Sequence, residues 1–276
     1  MNKFIILLLS FIVFSSNLAT IAAPPPPKHG YHCDHCYHSY YEQPYIRYQT
    51  VTETEVPVYN CDKHFIEAQT IVTDYSDNTK TTSHRFTAYD DYNNIIANNC
   101  LQMEHIKRNN KCYFIIKFYE AEFLGSDSIK TAILCSDNNF KITNKYTSFE
   151  KIGENKYLVR KSGLYGIIDL DENEIVPIKY ESLIKMDYGV YITSMNGAHG
   201  VISIDGKIIL SCEYDKIKKL GNVYYQTKKD GKWGIISPSG KILAQTIYKD
   251  VKISKNKLYV KEFSGKWKEL TTVINY

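Results

Sequence analysis

One interval constrains this chain more than any other property: a spacing of 34 residues that governs its C-terminal half. Gly163-Leu164-Tyr165-Gly166-Ile167-Ile168, Gly197-Ala198-His199-Gly200-Val201-Ile202 and Gly231-Lys232-Trp233-Gly234-Ile235-Ile236 follow one another at that interval, and Gly265-Lys266-Trp267 opens a truncated further copy. Tyr146, Tyr180, Tyr214 and Tyr248 form a second column with the same spacing, and Tyr157, Tyr191, Tyr225 and Tyr259 a third. A repeat of this length is one supersecondary unit that cannot bury its apolar face alone, so the copies must stack.

Each copy reads as a small antiparallel meander. Residues 156–161, and 222–228 two copies later, have strand character, and Ser162-Gly163 or Asp230-Gly231 then supplies a tight turn. Asp-Gly is the favoured two-residue hairpin because both central residues need positive φ. The next strand carries the aromatic-Gly-Ile-Ile core. Asp205-Gly206 or Ser239-Gly240 turns into a third strand at 207–210 or 241–244, and a last short strand, at 183–186 or 248–253, closes the unit.

These residues resemble the WG-repeat (KWG) family. Trp233-Gly234-Ile235-Ile236 with Gly240, Tyr248 and Asp250 follows its pattern, Ile175-Val176-Pro177 supplies the Ile-Pro element, and Tyr214-Asp215 the Tyr-Asp element. The resemblance covers about residues 141–276 and departs from the pattern at Tyr165 and His199, which replace Trp, and at Lys268, which replaces Gly. It implies an all-β array used as a binding or interaction module, often in exported bacterial proteins, and brings no catalytic residues. An open twisted array fits a 34-residue unit better than a closed propeller, whose blades need about 40 residues.

The recurring aromatics admit two readings. A regular row of Tyr and Trp suits stacking against sugars, because each ring has a flat apolar face and a polar edge. Stacked repeats also demand recurrence for packing alone, since every unit must offer its neighbour the same ridge. Packing is the simpler account, and it extends to His199 as a packed ring.

Upstream, residues 49–140 alternate apolar and polar residues in runs at 51–58, 65–74, 83–88, 94–97, 113–118 and 129–135, separated by Asn/Asp-rich turns. A meander of hairpins is expected. Ala132-Ile133-Leu134 stands 34 residues before Gly166-Ile167-Ile168, and Phe123 the same distance before Tyr157, which leaves room for one degenerate repeat ending near residue 144 and for another before it.

The first 23 residues read as a secretory signal peptide: Lys3, an apolar stretch at 4–14 too short to span a bilayer, and Ala19-Thr20-Ile21-Ala22-Ala23 for cleavage. No later stretch reaches transmembrane length. The expected location is outside the cytoplasm: periplasmic, cell-surface or secreted. Residues 24–48 begin with Pro24-Pro25-Pro26-Pro27, a polyproline spacer, and continue with His29, His32, Cys33, His35, Cys36 and His38.

His32, Cys33, Cys36 and His38 have the ligand chemistry of a zinc or copper site. No second Cys-x-x-Cys pair completes it, and the redox reading of Cys33 and Cys36 lacks the helix that would activate the first thiol. A flexible tract with an incidental or structural disulfide is the leading reading, ahead of metal and then redox chemistry. The 7 cysteines make an odd number, so at least one is left over from intrachain pairing; Cys61, Cys100, Cys112 and Cys135 lie where two bridges could form, with a pairing the sequence does not give, and Cys212 is expected to be a small buried hydrophobe.

Charge divides the chain. Residues 141–276 hold 23 Lys+Arg against 15 Asp+Glu, and residues 1–140 hold 11 against 15. A basic repeat region suits an anionic partner, an envelope glycan polymer or an acidic protein, although lysines also protect strand edges from mispairing. Export disfavours nucleic acid. The sequence contains no Gly-x-Ser-x-Gly, His-Glu-x-x-His or phosphate-cradling loop, so the expected protein is non-enzymatic and needs no cofactor, the N-terminal tract apart. Native mass spectrometry separates the readings of that tract: the metal reading requires a zinc or copper adduct that disappears when residues 24–42 are deleted, and an unchanged mass in both metals removes it.

Overall fold

The computed structural model describes residues 19–22, 46–57, 65–90, 92–121 and 127–270, and these form strands and turns with one short 3-10 turn and no α-helix. The chain divides into two compact units, Met1–Thr143 and Asn144–Tyr276.

In the first unit, β1 (Ala19–Ala22), β2 (Ile46–Pro57), β3 (Phe65–Tyr75), β4 (Lys80–Tyr89) and β5 (Ile95–Cys100) make a five-stranded antiparallel sheet in chain order. β6 (Gln102–Arg108), β7 (Lys111–Ala121) and β8 (Asp127–Cys135) make a second, three-stranded one. Ala88 and Cys100 from the first sheet join Phe114, Ile116, Ala132 and Leu134 from the second in one core. The expected hairpin meander is what forms, with two strands added. β6 escaped the sequence reading because Glu104, Lys107 and Arg108 break its apolar alternation, and β1 falls inside the expected leader, where it pairs with β2.

Ala132, Ile133 and Leu134 are buried in β8, which pairs with β7 in one long hairpin from Tyr113↔Cys135 to Ala121↔Asp127. Phe123 lies outside the described residues.

The second unit carries the period. β9 (Ser148–Gly153), β10 (Lys156–Lys161), β11 (Leu164–Ile168) and β12 (Glu174–Tyr180) form the first four-stranded meander. β13 (Ser182–Lys185), β14 (Val190–Met195), β15 (Ala198–Ser203) and β16 (Ile208–Tyr214) form the second. β17 (Lys216–Leu220), β18 (Tyr224–Lys229), β19 (Lys232–Ile236) and β20 (Ile242–Tyr248) form the third, and β21 (Asp250–Ser254), β22 (Lys257–Lys261) and β23 (Trp267–Glu269) a three-stranded fourth. No sheet closes into a barrel; sheet follows sheet in an open tandem arrangement.

The short strand expected to close each unit instead opens the next sheet. Ser182–Lys185 pairs with β14, and 248–253 is split between the end of β20 and the whole start of β21. The period could not reveal this, because a repeat can be cut at any phase without changing its spacing.

The two aliphatics after each motif glycine have opposite jobs. Neighbouring residues on a strand point to opposite faces. Ile167 packs forward with Val176 and Tyr180 against Leu183, Tyr191 and Ile202 of the second sheet. Val201 and Leu210 meet Ile217, Tyr225 and Ile236 of the third, and Ile235 and Ala244 meet Val251, Leu258 and Val260 of the fourth. Ile168, Ile202 and Ile236 therefore face backward while Ile167, Val201 and Ile235 face forward, and all six are essentially inaccessible to water. At about 1.5–3 kcal/mol for each fully buried side chain, this double burial is the main cohesive term of the array.

The hairpin glycines behave as the sequence implies: Ser162 and Gly163 (φ 50° and 86°), Asn196 and Gly197 (53° and 74°), and Asp230 and Gly231 (50° and 74°) all take positive φ. The motif glycine answers a different demand. Opposite Gly166, Gly200 and Gly234 the partner strand bulges, with Tyr165↔Tyr180 followed directly by Ile167↔Val176, and the same shift recurs in the next two sheets. A Cβ on Gly166 would lie 2.7 Å from the Val176 carbonyl oxygen and 2.7 Å from Ile178; on Gly234 it would lie 2.8 Å from the Ala244 oxygen and 2.6 Å from Thr246 Oγ1. The space above the glycine is filled by a cross-strand pair, Thr193 Oγ1 with Cys212 Sγ at 3.0 Å in the second sheet and Thr227 Oγ1 with Thr246 Oγ1 at 2.7 Å in the third. The motif glycine thus makes room within its own sheet. Making room for the neighbouring sheet falls to the other turn glycines: a Cβ on Gly206 would sit 2.3 Å from the Ile175 oxygen, and one on Gly240 would sit 2.9 Å from Ile209.

Two substitutions separate these roles. Gly234→Ala forces the bulged strand away and is expected to cost about 1–3 kcal/mol in urea unfolding, whereas Gly231→Asn, at an open hairpin position where Asn accepts positive φ, is expected to cost less than about 1 kcal/mol. Equal costs would remove the bulge argument.

Candidate functional site

The residues expected to hold a metal, His32, Cys33, Cys36 and His38, lie outside the described residues. Among the described ones, no cluster of three His, Cys, Asp or Glu side chains has the arrangement to hold a metal ion. Cys112 is disulfide-bonded, while Cys100, Cys135 and Cys212 are free. Two bridges among Cys61, Cys100, Cys112 and Cys135, open from the sequence, do not form: Cys100 is committed to the apolar core of the first unit and Cys135 ends β8 as a free thiol. Cys212 is free, as expected, but only half-buried, and its thiol is hydrogen-bonded to the Thr193 hydroxyl above Gly200.

The tyrosine columns are neutral packing elements. Tyr157, Tyr191 and Tyr225 are buried, and burial pushes the phenols of Tyr191 and Tyr225 up from their ordinary value. Tyr146 is pushed far up by burial and by the Glu172 carboxylate, to which its hydroxyl donates at 2.9 Å. Tyr259 leaves its column. The β21–β22 turn is one residue shorter than the β17–β18 turn, so Lys261 pairs with Trp267 as Lys228 pairs with Trp233, and Leu258 takes the buried place that Tyr225 holds one sheet earlier. Tyr259 turns to the opposite face, where its hydroxyl donates to Glu269.

The column of Tyr165, His199, Trp233 and Trp267 is different in kind, because all four rings are only half-buried. Each lies two residues before the forward-facing aliphatic, or in Trp267 at the equivalent place, and so stands on the forward face of its sheet beside the hairpin turn. The Arg160 guanidinium lies 5.4 Å from the Tyr165 ring. Trp233 has Lys218 at 5.9 Å and Lys228 at 5.4 Å; Trp267 has Lys252 at 4.1 Å and Lys261 at 5.5 Å. In the second sheet the corresponding positions are Ile184 and Ser194, and His199 carries a buried Nδ1 with no hydrogen-bond partner. Summing charge over the whole repeat region concealed these lysine pairs; comparing positions 150, 184, 218 and 252 column by column would have found them.

Charge follows the same division. The first two sheets, residues 148–215, carry 7 Lys+Arg against 11 Asp+Glu, whereas residues 216–270 carry 14 Lys against 4 Asp+Glu. Lys229 is paired with Glu213 at 2.9 Å and Lys257 with Glu269 at 2.7 Å, but Lys218, Lys228, Lys252 and Lys261 have no carboxylate partner among the described residues. Each of the four lies over an indole face, and Lys252 lies over the Tyr259 ring as well, at 5.8 Å.

A separate pocket of about 340 Å³ opens in the first unit, lined by Ile96, Ala97, Cys100, Ile116, Phe118 and Leu134 among others. Burial pushes the Cys100 thiol up to about 11.

Stacked meanders, each with a hairpin glycine, an aromatic and a bulge-accommodating glycine, define a β-repeat protein of the tandem-array class. The family model described as WG containing repeat matches residues 165–197 and 200–233, two successive units of the array. The first match runs from β11 to the turn after β14, and the second from β15 into β19 of the next sheet. The family unit thus straddles an inter-sheet contact: Ile167, Val176, Tyr180, Leu183 and Tyr191 all fall within the first match. No curated protein matches the chain. No helix among the described residues is long and apolar enough to cross a membrane.

Thiol accessibility checks the core assignment. A charged maleimide applied to the folded chain is expected to modify Cys135 and Cys212, both part-exposed, before Cys100, which should react only on unfolding; peptide mapping that finds Cys100 labelled first would contradict its burial.

Proposed function

We propose that this chain is an exported, non-catalytic binding protein whose WG-repeat array engages an anionic partner, an envelope polymer or an acidic protein, through its third and fourth sheets. The observation that carries this reading is the concentration of 14 lysines against 4 acidic residues in residues 216–270, directly after two sheets in which acidic residues are in excess. Such a field attracts polyanions over about a Debye length and fixes the end of the array at which they land. Export is supported by the leader-like residues 1–23 and by the disulfide at Cys112, since such bonds persist in oxidising compartments. The WG-repeat match supports an interaction module over an enzyme.

Co-sedimentation of the purified chain with envelope polymer preparations tests the reading. Binding is expected at low ionic strength and should fall away at about 1 M salt, where the screening length shrinks to about 3 Å. Absence of binding at low salt, or binding indifferent to salt, would overturn it.

A further inference from the structure

The two tryptophans of the chain, Trp233 and Trp267, both belong to the half-buried forward-facing column, and both are flanked by two lysines. We infer that these two Lys-Trp-Lys sets form one binding surface for an anionic polysaccharide, a pyranose chain bearing carboxylate or phosphate groups. The inference rests on the reading of the array as a module for an anionic partner and names that partner's chemistry.

Three features of the geometry carry it. First, the sets are built into the repeat: Lys218 and Lys252 occupy one column, Lys228 and Lys261 occupy equivalent places in their sheets, and packed sheets stand about 10 Å apart. The surface therefore presents aromatic and cationic groups in register, suited to a polymer whose own groups recur. Second, the four ammonium groups are held against ring faces and lack carboxylate partners among the described residues, so an incoming anion gains charge-assisted hydrogen bonds without first breaking a salt bridge. Third, an indole supplies the flat apolar face on which a pyranose ring packs.

Trp267 stands on the outer face of the fourth sheet, with no further repeat packed over it among the described residues. The acidic groups on that face are already engaged. Glu269 accepts from Tyr259 and is paired with Lys257, and Asp250 accepts from the Val251 backbone N–H at 2.8 Å. Trp233 sits one sheet back, in partial contact with the core of Val251 and Val260. The first two sheets lack this equipment: Tyr165 has a single cation, and His199 has none over it. The repeats thus divide into two that only pack and two that also offer a cationic aromatic surface.

Because both tryptophans lie in the proposed surface, intrinsic fluorescence of the full chain reports its occupancy directly. The chain is titrated with polygalacturonate, phosphorylated dextran, neutral dextran, poly-L-glutamate and phosphatidylglycerol vesicles. A saturable change in indole emission is expected with polygalacturonate or phosphorylated dextran, the responding polymer identifying carboxylate or phosphate as the anion. Neutral dextran, poly-L-glutamate and vesicles should need at least about tenfold higher concentration.

Lys218→Ser with Lys252→Ser is expected to weaken glycan binding by about tenfold or more. Lys241→Ser with Lys255→Asn removes the same charge from exposed turns at the opposite ends of the strands, and should change binding by less than about threefold. No emission change with either anionic glycan, an equal response to poly-L-glutamate or vesicles, or equal losses from the two double variants would each overturn the inference. Salt-sensitive co-sedimentation with envelope polymer surviving any of these results would leave the broader anionic-partner reading standing.

Discussion

Burial of both faces of the inner sheets is the interaction on which the repeat unit depends. A four-stranded meander of about 30 residues has too little apolar surface to hold itself together. Ile167 and Ile168, pointing opposite ways from adjacent positions, let one strand supply both interfaces at once. Where strands with one wet face alternate apolar and polar residues, these place two aliphatics in succession, and the succession is the signature of a sheet sandwiched between others. The array is accordingly cooperative in short steps, each sheet leaning on the one before and the one after.

The glycines translate that demand into backbone. Gly163, Gly197 and Gly231 turn the hairpin with positive φ and have open space where a Cβ would stand, while Gly166, Gly200 and Gly234 have no room for a methyl group because the bulged partner strand crosses above them. The pairs filling that space differ chemically, Thr193 with Cys212 and Thr227 with Thr246, yet occupy it equally well. A polar pair survives there because each member satisfies the other's hydrogen-bonding capacity. Variation among repeats is thus tolerated at the filling and not at the glycine, which is also where the motif is least altered among the first three copies.

The aromatic position preceding that glycine is free to diverge, since it stands at the lip of the sheet and not in its middle. It is Tyr in the first copy, His in the second and Trp in the last two, and only the tryptophans are enclosed by paired lysines. A packing repeat has in this way acquired a chemical gradient along its length, from acidic to strongly basic, without any change in architecture. Function in such a protein resides in what the scaffold leaves at its edges.

By itself the sequence determined the period, the all-β class, the hairpin turns and the tyrosine columns at 157, 191 and 225, because these follow from local chemistry and from spacing that any stacking must respect. It also marked the WG-repeat resemblance that the family match supports. The tertiary structure alone decided where one sheet ends and the next begins, because strand pairing, not spacing, sets the phase. It decided that Leu258 replaces Tyr259 in the core, since a one-residue shortening of a turn flips every side chain of the strand that follows. It assigned Cys100 to the core and not to a bridge, and it gathered Lys218, Lys228, Lys252 and Lys261 around two indoles, because residues far apart along adjacent strands become neighbours only when the register is fixed.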